Sequence, residues 1–204
     1  MHRATFRAVS CTVALIALSA CNNDGRTLNP PTQTTNPVTS ISSTVATTAT
    51  GVPSGFTATG PWAPAGEIPL RYGCDGEGLS PSLTWTGVPE GTNAFAVVVL
   101  DSTDIRDDGT ESILWVAADI PADALGVSEG ALPDGSVEGM NAVGGVGWVA
   151  PCPPSGQTHR IDLTVYALGS MNGITSGMSG NDMRAAIIAA AIDESSFSGT
   201  YTAP

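Results

Sequence analysis

Beyond its first twenty residues the chain has a single histidine, and this histidine lies at the end of an unusual loop. The loop reads APCPPSGQTHR and runs from Ala150 to Arg160, with His159 as its only imidazole. Three prolines restrict its backbone, and Cys152 adds a thiol that can form a disulfide or bind a metal. An imidazole placed here can act as a general base, bind a metal or contact an anionic ligand.

Catalysis and metal binding both require partners for His159 that the sequence does not supply. A hydrolase needs a nucleophile beside its base, and neither Ser80 nor Ser102 stands at a spacing that supports such a pair. A zinc site needs several ligands at close spacing, whereas this chain offers one histidine and two distant cysteines. We therefore expect a protein that is not an enzyme and that holds no metal and no cofactor.

The N-terminus has the pattern of an export signal. Arg3 and Arg7 precede an apolar run that ends in small residues, and the run is too short to span a bilayer. The segment LSAC, which ends at Cys21, resembles a bacterial lipobox, in which the cysteine is acylated, for instance by palmitate, and becomes the mature N-terminus. We expect a lipoprotein signal peptide at 1–20, lipidation of Cys21, and an exported protein anchored in the cell membrane that faces the outside or the periplasm. An ordinary secretory signal with a chance cysteine is the alternative.

The charge of the mature chain excludes two classes of partner. All 19 acidic residues lie beyond the signal and two of the seven arginines lie within it, so the mature chain carries a net charge of −14 and has no lysine. Nucleic-acid binding needs cations that neutralise phosphates, and attraction to anionic headgroups needs a polybasic segment. We expect no nucleic-acid partner, and we expect contact with the membrane through the lipid anchor.

Two cysteines remain once the signal and the lipidated residue are set aside. In an exported protein Cys74 and Cys152 are a natural disulfide pair, with two free buried thiols as the alternative.

The composition divides the mature chain into a tether and one domain. Residues 21–51 are rich in Thr, Ser, Asn and Pro and have almost no large apolar side chains, which is typical of a flexible segment without a core. Residues 52–204 have the length of a single domain.

Short runs of β-branched and aromatic residues between turn residues predict that this domain is mainly β. The predicted strands are EIPLRYG, NAFAVVVLD, SILWVAADIP, HRIDLTVYALG and SFSGTYT. The second has no polar residue inside it and is expected to be a central strand covered on both faces. Apolar residues at helical spacing from Met183 to Ala191 predict one helix, which Ser179, Asn181 or Asp182 can cap.

An ordered set of motifs resembles the phosphatidylethanolamine-binding protein (PEBP) family, in particular its bacterial Raf-kinase-inhibitor-like branch, YbhB/YbcL. The most specific segments are CDGEGLSPSLTW, from Cys74 to Trp85, and PCPPSGQTHR, from Pro151 to Arg160. The resemblance extends from Ile68 to Tyr201. It implies a β-sandwich with one or two peripheral helices and a small anion-accepting pocket at one end, where members bind phosphate or phosphoryl headgroups. Several members inhibit kinases or proteases through protein contacts.

The resemblance also implies which residues of this chain line the pocket. Asp101 matches the first aspartate of an Asp-Pro-Asp-x-Pro motif, and Trp148 stands where the family usually has a tyrosine. The predicted ligand-binding residues are Asp101, Trp148, Pro151, Pro153, His159 and Arg160, and Pro154 and Gly156 also match the loop. Three of them have a plainer interpretation: His159 bonded to loop carbonyls, Arg160 paired with a carboxylate, and Asp101 capping a turn.

The chain departs from the family motif at positions that matter for anion binding. Ser102 and Thr103 stand where the family has Pro-Asp, so that Asp104 can replace the second aspartate only if the loop reshapes by a residue. Leu114 replaces a pocket histidine before Trp115, and one lost imidazole removes about 1–3 kcal/mol of hydrogen bonding.

Two functional hypotheses follow. The first is a non-enzymatic binding lipoprotein of the cell envelope, with a pocket for a small anionic or phosphorylated ligand such as a phospholipid headgroup. The alternative is a protein-interaction module, of the protease- or kinase-inhibitor kind, in which that pocket is degenerate.

Overall fold

The structure is a computed structural model, and it describes residues 55–170 and 173–204. The predicted signal peptide at 1–20, the lipidated Cys21, the tether at 21–51 and the first residues of the predicted domain lie outside the described residues. No helix in the described part of the chain is long and apolar enough to cross a membrane.

Six strands form one large sheet: β2 (Gly66–Glu67), β4 (Ala94–Ile105), β5 (Glu111–Pro121), β7 (Val137–Glu138), β8 (Thr158–Leu168) and β9 (Ala191–Thr202). Their spatial order is β2-β9-β8-β4-β5-β7. All neighbours in this sheet are antiparallel except β2 and β9, which are parallel.

The central strand β4 separates two hydrophobic cores. Phe95, Val97 and Val99 belong to one core, while the alternate residues Ala96 and Val98 belong to the other. Successive side chains of a strand point to opposite faces, so a strand without polar residues is stable only when both faces are covered. The predicted central strand is confirmed.

A smaller sheet covers the first face and completes the sandwich. It has the order β1-β3-β6, formed by β1 (Thr57–Thr59), β3 (Leu83–Thr86) and β6 (Gly126–Val127). Trp85 of β3 packs on Phe95 of β4, with ring centroids 4.9 Å apart. The sandwich fold is therefore the one that the resemblance implies.

One α-helix covers the other face in the described part of the chain. It is α1 (Gly180–Ala190), and its buried side chains Met183 and Ile187 lie in the second core. Ser179 is the N-cap, since its hydroxyl accepts the Asp182 backbone N–H. The strand β9 begins at Ala191, directly after the helix and before the predicted SFSGTYT run.

The predicted strand EIPLRYG is largely wrong. Only its first residue, Glu67, lies in a strand, as the second residue of β2, and a 3-10 turn follows at Leu70–Tyr72. Pro69 has no backbone N–H to donate to a ladder, and the Tyr72 and Gly73 N–H groups close back on Pro69 and Leu70. The composition of this run is strand-like, but it finds no partner strand beyond Glu67.

Candidate functional site

The carboxylate of Asp101 is fixed where β4 leaves its regular register. Asp101 still pairs with Ile161 of β8, and the chain then bends before Ile105. One carboxylate oxygen, Oδ1, accepts the backbone N–H groups of Thr103 and Asp104, each at 3.0 Å. Asp101 is buried, so these two bonds replace the water that its carboxylate loses.

The other carboxylate oxygen of Asp101 holds His159. The distance from Asp101 Oδ2 to His159 Nδ1 is 2.7 Å, and the two side chains are only 6% and 13% exposed. A carboxylate can only accept, so Nδ1 carries the hydrogen and donates it. This leaves Nε2 as the imidazole nitrogen that can meet a ligand, either accepting a proton or donating one when the ring is charged.

The side chains of Thr103 and Asp104, which follow Asp101, accept hydrogen bonds from other groups of the protein. The hydroxyl of Thr103 accepts the Arg160 backbone N–H at 2.8 Å, and the carboxylate of Asp104 accepts the hydroxyl of buried Ser112. Asp104 is thus held by Ser112, on the neighbouring strand β5.

The guanidinium of Arg160 lies on Asp162. Its Nε donates to Asp162 Oδ1 at 2.9 Å, its Nη2 forms an ion pair with the same oxygen at 2.8 Å, and the Arg160 side chain is largely exposed. The hydrogen bond and the charge of Asp162 raise the pKa of Arg160. The predicted ligand contact of Arg160 therefore has a competing partner two residues along the same strand.

The proline-rich loop is held at both of its ends. Cys152 forms a disulfide with Cys74, with the two Cα atoms 5.3 Å apart, and the Cys74 N–H donates to the carbonyl of Pro151. At the far end the Gly156 N–H donates to Ala203, at a positive φ of 73° that favours glycine. Pro151 and Pro153 are both buried.

Trp148 lines a cavity of about 290 Å³ that Asp101 and His159 do not line. Its indole N–H donates to the carbonyl of Gly78 at 3.0 Å. Trp115 lies edge to face with it, at a centroid distance of 6.0 Å and an interplanar angle of 88°, and donates its own N–H to Glu138 at 2.7 Å. The six predicted residues thus fall into four settings: the Asp101–His159 pair, the restrained loop with Pro151 and Pro153, the exposed Arg160 on Asp162, and this separate cavity with Trp148.

A comparison with known families decides what the chain is. The model of the family described as Phosphatidylethanolamine-binding protein matches residues 59–202. The chain belongs to the PEBP family.

Relatives and a solved structure agree with this membership. A UPF0098 protein of Methanothermobacter thermautotrophicus is 39% identical over 141 residues, which are 67% of this chain and 91% of that protein. LppC of Mycobacterium tuberculosis, named as a lipoprotein, is 29% identical over 204 residues, covering 98% of this chain and 97% of LppC. The crystal structure of Escherichia coli YbcL, titled a new member of the mammalian PEBP family, has a TM-score of 0.67 and 30% identity, and the match covers 74% of this chain and 99% of YbcL.

Leu114 and Glu138 both lie next to the segment around Trp148. The side chain of Leu114 is buried in the first core, and its carbonyl accepts the Val149 N–H at 2.9 Å. Leu114 therefore ties the segment after Trp148 to β5 without supplying an anion donor.

Glu138 was not predicted from the sequence, because a glutamate after a valine gives no local signal that it will meet a tryptophan of another strand. Trp115 is buried and also lines the cavity.

One further motif was missed in the sequence. GVSEG, residues 126–130, has the G-x-S-x-G spacing of a nucleophile elbow. Its Ser128 follows β6 and forms an isolated bridge with Ala131, and no helix follows. A nucleophile elbow is a strand-to-helix turn, so this segment is not one. No cluster of metal ligands occurs among the described residues.

Proposed function

We propose that this PEBP member is a non-enzymatic binding lipoprotein of the cell envelope that takes a small anionic or phosphoryl group at His159. The observation that carries the proposal is the 2.7 Å contact between His159 Nδ1 and Asp101 Oδ2. Membership of the family supports a binding role.

Asp101 orients the ring of His159 and leaves its Nε2 available to a ligand. Because Nδ1 is bonded to a carboxylate that is itself held by two backbone N–H groups, the imidazole ring has a defined direction. When the ring is charged, its Nε2–H can donate a charge-assisted hydrogen bond to a phosphoryl oxygen. The loop from Pro151 to Gly156 forms a restrained rim, so a ligand there orders little additional backbone.

The hydroxyl groups next to this pair favour binding over hydrolysis. Ser102 donates to the carbonyl of Arg160, and Ser112 donates to Asp104. A nucleophilic serine needs its hydroxyl bonded to the base. Both hydroxyls are instead turned to other acceptors.

We further propose that residues 1–20 direct export, that Cys21 carries the lipid and that residues 21–51 tether the domain at 52–204. The protein would then face the outside or the periplasm and touch the membrane through its anchor. Alignment with LppC, which is named as a lipoprotein, over 98% of this chain supports the placement.

The test is a titration of the full chain, solubilised in a nonionic maltoside detergent, with inorganic phosphate and with phosphoethanolamine. Ring signals of His159 in NMR spectra are expected to shift saturably. The His159→Ala variant is expected to lose binding, whereas Arg160→Ala, which removes a guanidinium already bound to Asp162, retains it. Absence of saturable shifts with millimolar phosphate would contradict the proposal. Phospholipid vesicles in a third arm distinguish a lipid headgroup from free phosphate.

A protein-interaction module is the second candidate, and one surface favours it. The segment from Met140 to Val146 projects apolar side chains, with Val143 75% exposed and Val146 56% exposed. A Val143→Ser variant that loses a protein partner while keeping phosphate binding would favour this function.

A further inference from the structure

The cavity between Trp115 and Trp148 has one charged side chain in its lining, and that charge is negative. The residues that line it are Gly78, Leu79, Ser80, Trp115, Gly130, Ala131, Leu132, Glu138, Val146, Gly147 and Trp148. No arginine or histidine is among them, and the chain has no lysine. Glu138 forms no ion pair with the basic residues that the structure describes.

Both indole donors and two of the backbone donors around this cavity are already committed. The indole N–H of Trp115 goes to Glu138 and that of Trp148 goes to Gly78. Among the backbone groups, the N–H of Gly130 goes to Ser80 and that of Gly147 goes to Gly139. An anion entering here would meet a carboxylate and few free donors, which disfavours it.

The carboxylate of Glu138 is held so that one of its oxygens remains for a ligand. Oε1 accepts the Trp115 N–H, which leaves Oε2 for another donor. A Cβ added to Gly147 would come within 2.9 Å of Oε2, so the absence of a side chain there lets the carboxylate pack against the backbone. Gly147 also has a φ of +89°, which favours glycine on its own account.

We propose that this cavity binds a compact organic cation, of the primary or quaternary ammonium class. A fixed carboxylate beside two indoles is a combination that recognises ammonium groups, since the indole ring attracts cations through its quadrupole. A volume of about 290 Å³ lies at the small end of ligand pockets, which suits a ligand of a few heavy atoms. Val146 lines the cavity and is exposed, so the cavity opens to solvent beside it. This site is distinct from the one at His159 and does not rest on it.

The experiment titrates the full chain, in a nonionic maltoside detergent, with tetramethylammonium chloride and methylammonium chloride. The readout is the indole N–H signals in ¹H–¹⁵N spectra, assigned with Trp148→Phe and Trp115→Phe variants. Saturable shifts are expected for Trp115 and Trp148, while Trp62 and Trp85, which do not line the cavity, serve as internal controls. Sodium chloride at equal ionic strength is expected to give no shift.

The matched variants are Glu138→Gln and Glu90→Gln. Glu138→Gln keeps an oxygen that accepts the Trp115 N–H but removes the charge, and it is expected to weaken tetramethylammonium binding at least about tenfold. Glu90 is exposed in a turn and does not line the cavity, so its variant removes the same charge and leaves binding unchanged. Equal affinity in Glu138→Gln, no shift in the natural chain, or the same shift with sodium chloride would each overturn the proposal. Failure of phosphate to shift His159, with tetramethylammonium still shifting the two indoles, would contradict the proposed function and leave this site standing.

Discussion

Asp101 accepts three hydrogen bonds, one of them from His159. No other carboxylate in the described part of the chain is so deeply buried. The N–H groups of Thr103 and Asp104 meet one oxygen and His159 Nδ1 meets the other, at 2.7 Å. Asp101 therefore holds both the irregular end of β4, between Asp101 and Ile105, and the direction of the imidazole.

Replacing Asp101 by Asn is expected to lower stability and to release His159. An amide offers one acceptor atom and one donor, so either the backbone N–H groups or the imidazole N–H faces a donor instead of an acceptor. The expected cost is about 1–3 kcal/mol in the free energy of unfolding, measured by urea denaturation. Phosphate affinity should fall in the same variant.

The control for this change is Asp162→Asn. Its carboxylate holds the largely exposed Arg160, and such a pair contributes about 0–1 kcal/mol. Equal losses in the two variants would show that the buried hydrogen bonds of Asp101 do not carry the stability assigned to them.

Removing the disulfide is expected to destabilise the sandwich and to loosen the loop at His159. The bridge closes a separation of 78 residues, from Cys74 to Cys152. Loss of a bridge of this kind costs about 2–5 kcal/mol, so a Cys74→Ser, Cys152→Ser double variant should unfold at clearly lower urea concentration. Phosphate should also bind it more weakly, because the rim is then ordered only on binding.

The bridge itself is checked by mass. Thiol alkylation of the exported protein under denaturing conditions should modify these two cysteines after reduction and leave them unmodified before it. Full alkylation without a reductant would show that the cysteines are free thiols.

The helix α1 depends on its N-cap residue, Ser179. The Ser179 hydroxyl accepts the Asp182 N–H and donates to the Asp182 carboxylate. Ser179→Ala is expected to cost about 1 kcal/mol in the free energy of unfolding by urea, because a helix N–H loses its partner. Ser176→Ala, at an exposed position outside the helix, is the control and is expected to change little. An unchanged unfolding midpoint in Ser179→Ala would contradict the role of the cap.

The sequence predicts best those elements in which the order of the residues shows directly which side chains are buried. In β8 the alternation of the sequence places Ile161 and Leu163 on one face and Tyr166 and Leu168 on the other, and these pairs lie in the two separate cores. An alternation of period two needs no knowledge of the partner strand. The strand predicted for the run after Glu67 does not form. The composition of this run is strand-like, but strand formation also depends on which segment lies alongside.

The same distinction separates the two candidate sites. The motifs around Asp101 and His159 resemble those of a known family, so both residues were named from the sequence. The site at Glu138 is built by Trp115, which is 23 residues away in sequence, and by the space left at Gly147. Neither contact has a local signature, since both arise only when β5, β7 and the loop before Trp148 come together.

Asp119 combines a strained backbone with a desolvated carboxyl group. It lies in a β-bulge, where Ala118 and Asp119 together oppose one residue of β4, and its φ is +57°. Its Oδ1 is buried without a hydrogen-bond partner, and burial raises the pKa of the Asp119 carboxyl. The folded protein thus holds this proton to a higher pH than the unfolded chain does. The charged form destabilises the fold at neutral pH, and this penalty disappears as the pH falls through the raised pKa.

Asp119→Asn is therefore expected to stabilise the protein at neutral pH and to lose that advantage in acid. Asparagine tolerates a positive φ and carries no charge, so the desolvation cost is smaller. Because Asp119 is only partly buried, solvent screening limits the gain to a few tenths of a kcal/mol. The check is urea unfolding at about pH 7 and about pH 4, since an ordinary aspartate titrates near the lower value. Asp123→Asn removes the same charge at an exposed position and controls for net charge. A gain that is equal at both pH values, or equal in the control, would show that the buried carboxylate of Asp119 is not its cause.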